Sequence, residues 1–156
     1  EGIIFKDITT VLSNPEYLKW MKDEIVNLYR AYGITKVVGI ESRGFILGPA
    51  VAMDLGAGFV PVRKPGKLPA ETIEVSYAKE YGVDTIQIHA DALSEDDVVL
   101  LHDDLLATGG SMAAALELVR KFNVKKVYIN FIIELEFLNG RKAIGDDVEV
   151  SSLLSC

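Results

Sequence analysis

The architecture of this chain can be inferred outward from residues 98–111, which read Val98-Val99-Leu100-Leu101-His102-Asp103-Asp104-Leu105-Leu106-Ala107-Thr108-Gly109-Gly110-Ser111. The apolar beginning of this run predicts a buried strand that ends in an acidic pair. Apolar residues then recur at helical spacing from Met112 onward. A strand, a loop of small residues and a helix in this order are typical of α/β proteins with a parallel sheet.

The loop Ala107-Thr108-Gly109-Gly110-Ser111 has the composition of a phosphate-binding turn. Gly109 and Gly110 lack side-chain bulk, so main-chain N–H groups can approach an anion, while Thr108 and Ser111 add hydroxyl donors. The positive end of the following helix dipole points at the same place. No lysine follows the glycines and the G-x-G-x-x-G spacing is absent, which disfavours ATP hydrolysis and a dinucleotide fold. The alternative is an ordinary strand-to-helix turn.

The acidic pair Asp103 and Asp104 stands four residues before this loop. Carboxylates repel a phosphate but accept hydrogen bonds from hydroxyl groups, so the two features together predict a sugar phosphate as ligand. The 2'- and 3'-hydroxyls of a ribose 5-phosphate would then meet the carboxylates. The alternative is that the pair only caps the turn, although two adjacent charges at the end of a buried strand carry a desolvation cost.

The rest of the chain alternates between strand and helix signals. Asn14 and Pro15 predict a helix start, Gly33 predicts its end, and apolar residues recur between them at helical spacing. Further strands are predicted at 36–41, 59–62, 86–89, 98–101 and 126–133, and further helices at 43–54 and after residue 111. This order predicts an α/β fold with a central, mainly parallel sheet flanked by helices. Functional residues should therefore lie just after the strands.

Residues 63–81 break the apolar rhythm and are too long for an ordinary connection, so we predict a mobile functional loop there. Arg63, Lys64 and Lys67 begin this loop after one strand, and Arg43 follows another. Four cations at strand ends suit a diphosphate, since arginine binds phosphate oxygens in a fork and lysine acts as a point charge. The alternative for the lysines and Arg63 is a solvated basic loop.

Composition limits the remaining possibilities. The chain has 156 residues, of which 49% are apolar and 25% are charged, and its net charge is −7. We therefore expect a single domain over residues 1–156 without a general attraction to nucleic acid or membrane. Cys156 is the only cysteine, which excludes an internal disulfide, disfavours a cysteine metal site and predicts a cytoplasmic setting. No protein metal-ligand set is predicted. Because Glu1 and Gly2 begin the chain without methionine, we expect further residues upstream.

The acidic pair and its loop resemble the binding motif for 5-phosphoribosyl 1-diphosphate (PRPP) in the type I phosphoribosyltransferase family. The sequence of residues 103–111 is similar to that of the family branch that acts on adenine. Three other segments carry the resemblance in family order, so that it extends from Gly2 to about Leu154: Gly2-Ile3-Ile4-Phe5-Lys6-Asp7, Glu41-Ser42-Arg43-Gly44-Phe45 and Arg63-Lys64-Pro65-Gly66-Lys67-Leu68-Pro69.

The resemblance implies the type I phosphoribosyltransferase fold with a flexible lid loop and a small N-terminal hood. It also implies an enzyme that makes AMP and diphosphate from adenine and PRPP, with Mg²⁺ held mainly by PRPP and water. A cytoplasmic homodimer is implied as well. Two alternatives stay open: the same reaction on xanthine, hypoxanthine or guanine, and a non-catalytic regulator that senses PRPP. A non-catalytic regulator is expected to have lost residues of the lid or of the base contact. This sequence has all of the residues in question, namely Phe5, Lys67, Glu80 and Tyr81.

Several residue roles follow from the resemblance alone. Ser42 and Arg43 belong to a diphosphate loop, often with a cis peptide between Glu41 and Ser42, and Arg43 is placed among the catalytic residues. Around the base, Phe5 stacks on adenine while the main chain of Ile4 and Lys6 reads its polar edge, and Leu135 touches the purine. In the lid, Glu80 handles the purine proton and Tyr81 closes over the reacting centre. Phe5 as a core residue and Glu80 as an ordinary surface residue are the alternatives.

Overall fold

The structure is a computed structural model that describes residues 8–156. Its elements in chain order are α1 (Ile8–Leu12), α2 (Pro15–Tyr29), β1 (Lys36–Ile40), α3 (Gly44–Leu55), β2 (Gly58–Val62), β3 (Thr72–Ala78), β4 (Val83–His89), β5 (Val98–Leu106), α4 (Gly110–Arg120), β6 (Lys126–Glu134), a 3₁₀ turn (Glu136–Leu138), α5 (Gly140–Ile144) and β7 (Glu149–Ser155). None of the helices in this range combines the length and apolar character needed to cross a membrane.

Five of the strands form one parallel sheet in the order β2-β1-β5-β6-β7. The predicted fold class, a mainly parallel sheet flanked by helices, is confirmed. The strand order reverses between β1 and β5, because β1 leads through α3 to β2 on one side and β5 leads through α4 to β6 on the other. In such sheets the ligand binds beyond the carboxyl ends of the strands at this reversal.

The sheet has an apolar layer on each face, because successive side chains of a strand point to opposite sides. Leu100 packs with the buried faces of α2 and α3, whereas its neighbour Leu101 packs with α4 and the β3–β4 pair. The predicted apolar positions of α4 are all buried, namely Met112, Ala115, Leu116 and Val119. This two-sided burial is why the central strands are nearly continuous apolar runs.

The start of α2 is built as the sequence predicts. Asn14 accepts hydrogen bonds from the amides of Glu16 and Tyr17 at 2.9 and 3.2 Å, and Pro15 is the first helical residue. Gly33 has a positive φ of 70° after the helix, as expected of a residue that ends one. The apolar stripe predicted for this helix is less uniform than its spacing indicates, because Leu28 is 43% exposed.

The prediction of a loop over residues 63–81 is wrong for its second half. Residues 72–78 form β3, which pairs antiparallel with β4. The signal was present as a period of two, with Ile73, Val75 and Tyr77 alternating with more polar residues. The other elements that the sequence did not predict are α1, the 3₁₀ turn, α5 and β7. Strand β7 adds a fifth strand beside β6. Strand β5 also continues past the acidic pair to Leu106.

Candidate active site

The loop after β5 leaves donors free at the start of α4. Gly109 is the residue before this helix and has a φ of 89°, a left-handed conformation that favours glycine. The N-terminus of α4 receives no side-chain hydrogen bond from the described residues. Its first N–H groups, which have no partner inside a helix, therefore face the loop and can bind an anion.

A cavity of about 200 Å³ lies at this place. It brings together the predicted acidic pair, the predicted loop and one predicted cation: its lining consists of Arg43, Asp103, Asp104, Leu105, Leu106, Ala107, Thr108, Gly109, Ser111, Met112 and Phe131. Gly110, the remaining predicted loop residue, is the first residue of α4. The cavity lies at the carboxyl end of β5, next to the reversal of strand order.

The acidic pair belongs to the end of β5 and is mostly buried. Asp104 is only 5% exposed, and the Arg43 Nε forms an ion pair with its Oδ2 at 3.0 Å. The Asp104 amide donates to Oδ1 of Asp103 at 2.8 Å. Burial, and then the neighbouring charge of Asp104, raise the pKa of Asp103 above its ordinary value. Within residues 8–156 neither carboxylate accepts a hydrogen bond from the start of α4, so the pair does not cap this helix.

Close backbone packing places Arg43 beside this pair. A methyl group on Gly39 would lie 2.8 Å from the carbonyl oxygen of Gly44, and one on Gly44 would lie 3.0 Å from that of His102. The start of α3 is therefore pressed between β1 and β5, and Arg43 immediately precedes it. The Glu41–Ser42 peptide bond is cis, as the resemblance implied, and Ser42 is exposed.

The other basic residues converge on Glu41. The Arg63 Nε donates to Glu41 Oε1 at 3.2 Å, the Lys64 amide donates to the same oxygen at 2.9 Å, and the Lys67 ammonium pairs with Oε2. The Lys64 ammonium pairs instead with Asp84 at 3.2 Å. Burial alone would raise the pKa of Glu41, but the hydrogen bonds from Lys67 and the Lys64 amide outweigh it and lower that pKa.

Glu41 is a site residue that the sequence reasoning missed. It appeared there only as a member of a motif, although a carboxylate directly after a central strand was a signal. The carboxylate pairs with Arg63 and Lys67, two of the predicted cations, while Arg43 forms an ion pair with Asp104 instead. The basic residues are therefore paired with carboxylates, although the side chains of Lys64 and Lys67 are each 47% exposed.

The structure does not bring Glu80 and Tyr81 to the cavity. Both lie in the exposed turn between β3 and β4, closed by the Lys79 amide donating to the Gly82 carbonyl at 2.9 Å, and Tyr81 is 84% exposed. The hairpin does reach α4 close to this turn, because a methyl group on Gly110 would lie 3.6 Å from the ring of Tyr77, which pairs with Asp84 near the tip. The sequence reasoning missed Tyr77 because it missed β3.

Leu135, predicted to touch the base, follows β6 directly. Its amide donates to the carbonyl oxygen of Leu106 at 2.9 Å, so it lies beside the residue that precedes the phosphate loop. The other residues predicted at the base are Ile4, Phe5 and Lys6, and they lie outside the described residues together with the predicted N-terminal hood.

The chain is similar to known proteins over nearly its whole length. Residues 7–151 match the phosphoribosyl transferase domain. The adenine phosphoribosyltransferase of Bacteroides thetaiotaomicron is 64% identical over 154 residues, which cover 99% of this chain and 88% of that protein. The enzyme of the same name from Geotalea uraniireducens is 52% identical, with 99% and 90% covered.

Solved structures agree with these relatives. The APRTase of Giardia lamblia complexed with 9-deazaadenine has a TM-score of 0.90 and 45% identity, covering 95% of this chain and 84% of that one. The adenine phosphoribosyltransferase of Trypanosoma brucei in complex with AMP, pyrophosphate and ribose-5-phosphate has a TM-score of 0.87 and 30% identity, covering 95% and 68%. A parallel sheet with an acidic pair and a glycine loop at its strand reversal, and relatives at this level of identity, thus lead to one assignment: the chain belongs to the phosphoribosyltransferase family, in its adenine phosphoribosyltransferase branch.

Proposed function

We propose that this chain transfers the phosphoribosyl group of PRPP to adenine and releases AMP and diphosphate. The observation that carries this proposal is the cavity in which Asp103 and Asp104 stand over the loop 107–111 at the start of α4. The loop amides and the hydroxyls of Thr108 and Ser111 would bind the 5'-phosphate, and the carboxylates would accept hydrogen bonds from the ribose hydroxyls. The adenine analogue bound by the Giardia relative supports adenine as the base.

The diphosphate would lie between the loop 41–43 and the basic cluster held by Glu41. Arg43 lines the cavity and forms an ion pair with Asp104, which supports a role for it beside the diphosphate. Ser42, Arg63, Lys64 and Lys67 supply further donors and positive charge at the same edge of the sheet. These groups would stabilise the charge that develops on the leaving diphosphate, and such fixed electrostatic stabilisation is often the largest contribution to catalysis.

Magnesium fits this donor set as an ion brought in by PRPP. Mg²⁺ prefers carboxylate, phosphate and water oxygens and usually keeps several waters. Within residues 8–156 no group of three or more His, Cys, Asp or Glu side chains is arranged to hold a metal ion, and the carboxylates of Asp103 and Asp104 stand where the ribose hydroxyls would bind. When bound, the ion would neutralise part of the diphosphate charge.

In the proposed reaction the bond between C1' of the ribose and the diphosphate oxygen breaks, and purine N9 forms the new bond from the opposite face. The ribose becomes oxocarbenium-like between these two events, so catalysis rests on alignment and charge stabilisation. Adenine would be held by Phe5, Leu135 and the main chain of Ile4 and Lys6. Glu80 would take the purine proton and Tyr81 would cover the reacting centre once the segment 63–81 closes and excludes water.

The proposal is tested by incubating the protein with PRPP, Mg²⁺ and each purine in turn and measuring the released diphosphate. We expect release with adenine at a rate at least about a hundredfold above that with hypoxanthine, guanine or xanthine. Preference for one of those oxopurines would contradict the adenine assignment. PRPP binding by calorimetry without release on any purine would favour a regulator that senses PRPP.

We further propose that the enzyme is a cytoplasmic homodimer that serves purine salvage. Support for the dimer comes from the family resemblance. Sedimentation velocity at micromolar concentration should give a species of twice the chain mass of 17.1 kDa. A monomer that is fully active would contradict the dimer and leave the reaction itself untouched.

A further inference from the structure

The short helix α5 lies directly against the phosphate loop. A methyl group placed on Gly109 would collide with the carbonyl oxygen of Gly140, the first residue of α5, and would lie 3.1 Å from the side chain of Ala143. In the opposite direction, a methyl group on Gly140 would lie 2.5 Å from the carbonyl oxygen of Ala107 and 2.7 Å from a methyl of Leu106. The two backbones therefore touch where both residues are glycine, and the position of the loop depends on that of α5.

Helix α5 cannot hold this position by its own stability. It has five residues, and helices this short are not stable in isolation, because the free-energy cost of nucleating a helix exceeds the stabilisation from a single turn. One anchor is Ile144 at its last position, which is buried in the core on the side of α4. A second anchor is needed near Gly140, at the end that touches the loop.

Arg141 provides this anchor through Glu134, the last residue of β6. The guanidinium donates through Nε to Oε2 at 2.8 Å and through Nη2 to Oε1 at 2.7 Å, and Nη1 donates to the Val150 carbonyl at 3.0 Å. The Ser152 hydroxyl donates to the same Glu134 Oε1 at 2.9 Å. Glu134 is only 7% exposed, so this two-pronged ion pair is partly shielded from water and joins α5 to both β6 and β7.

We propose that Arg141 is a positioning residue for PRPP: its ion pair with Glu134 holds Gly140 against Gly109 and so keeps the phosphate loop in the conformation that binds the 5'-phosphate. This inference rests on the proposed function, because it assigns the phosphate to the loop 107–111. Arg141 would act without contacting a substrate. Its effect passes through the contact between the two glycines.

The test compares Arg141→Met, Arg141→Lys and Glu134→Gln with the unaltered chain, with KM for PRPP, KM for adenine and kcat as readouts. We expect Arg141→Met to raise KM for PRPP about tenfold or more while KM for adenine changes by less than about twofold. Arg141→Lys restores one charged contact and should recover part of the loss, because lysine cannot reproduce the fork. Glu134→Gln should also raise KM for PRPP.

The matched control is Arg120→Met, which removes an ion pair with Asp147 of 3.1 Å between exposed side chains. Arg120 is the last residue of α4, at the end of that helix away from the loop. The KM of the Arg120→Met protein for PRPP should therefore equal that of the unaltered chain. A rise with Arg120→Met equal to that with Arg141→Met would show a general loss of stability and overturn the inference.

A second variant covers the case in which Arg141→Met does not fold, as judged by circular dichroism. Gly140→Ala leaves the ion pair in place and pushes on Ala107, so it should raise KM for PRPP selectively. A folded Gly140→Ala or Arg141→Met protein with unchanged KM for PRPP would overturn the inference while adenine turnover by the unaltered chain still supports the proposed function. Failure of the unaltered chain to turn over adenine would contradict both the proposed function and this inference.

Discussion

Asp103 illustrates a binding residue that costs the fold stability. Its carboxyl is largely buried beside Asp104, and the burial and the neighbouring charge raise its pKa above the ordinary value of 3.8. The folded protein therefore keeps a proton that the unfolded chain has released, and stability contributed by this group falls as pH rises from about 4 towards the raised pKa. This cost has a purpose if the carboxylate binds the ribose hydroxyls, as proposed above.

The variant Asp103→Asn separates these two roles. Asparagine has no proton to lose, so we expect the variant to gain about 1 kcal/mol or more in free energy of unfolding at pH 8 relative to the unaltered chain, with a smaller difference at pH 5. Urea unfolding at both pH values measures this. The KM for PRPP should rise about tenfold or more. A variant that is less stable at pH 8, with unchanged KM, would contradict both assignments.

His102 is the neighbouring residue on β5 and belongs to a polar row across the sheet. Its Nδ1 hydrogen-bonds Asn130 Oδ1 at 2.9 Å, the Asn130 amide donates to Ser151 Oγ at 3.0 Å, and the Tyr29 hydroxyl lies 2.6 Å from the same oxygen. His102, Asn130 and Ser151 occupy matching register positions on β5, β6 and β7. A one-residue slip of any strand would break the row, which therefore specifies the register that places the acidic pair.

Burial lowers the pKa of His102 to about 4 from its ordinary value of 6.5. As pH falls, His102 is protonated in the unfolded chain before it is protonated in the folded protein. The stabilisation contributed by the neutral imidazole is therefore fully present above about pH 6.5 and is lost as pH falls towards 4. We expect the unaltered chain to lose about 2 kcal/mol between pH 7 and pH 5 through this group. His102→Gln should lose correspondingly less in urea unfolding, with His89→Gln as control. An equal loss in His102→Gln would refute this origin.

At the scale of elements, the sequence predicted those parts of the fold that depend on local signals. The strand at 98–101, the glycine loop and the capped start of α2 were correct because periodicity and turn chemistry are written in neighbouring residues. Strand β7 was missed because its seven residues are mostly half-buried and have no continuous apolar run. The role of Glu41 could not be read, because its partners Arg63 and Lys67 come from another strand end and meet it only after the sheet has formed.

The β3–β4 hairpin is the element that would have to move in the proposed reaction. Glu80 and Tyr81 are exposed at its tip, while Tyr77, which pairs with Asp84 near the tip, lies beside the start of α4. If the hairpin closes over bound PRPP, Lys79 beside the tip becomes protected. Trypsin should then cut after Lys79 about fivefold more slowly with PRPP and Mg²⁺, whereas cutting after Lys121, at the opposite end of the sheet, should not change. Equal slowing at both lysines, or none at Lys79, would contradict closure.

For the whole molecule, the distribution of charge matters more than its sum. The net charge of −7 repels a polyanion such as PRPP at long range. The cations near the site are held at one edge of the sheet by buried or partly buried carboxylates, with Arg43 on Asp104 and Arg63 on Glu41. The molecule can thus concentrate positive charge where the strand order reverses and remain acidic elsewhere. Under the proposed function, affinity for PRPP therefore comes from short-range contacts, including those of the loop 107–111.

Ligand-linked stability tests this dependence on the phosphate. A ligand that binds only the folded state at a hundred times its Kd adds about 2.7 kcal/mol to the free energy of unfolding. For a chain of this size AMP should therefore raise Tm by about 5 to 10 °C. Adenosine at the same concentration lacks the group that the loop 107–111 binds and should raise Tm by less than about 2 °C. Differential scanning fluorimetry measures both, and equal shifts by AMP and adenosine would show that the loop contributes no phosphate affinity.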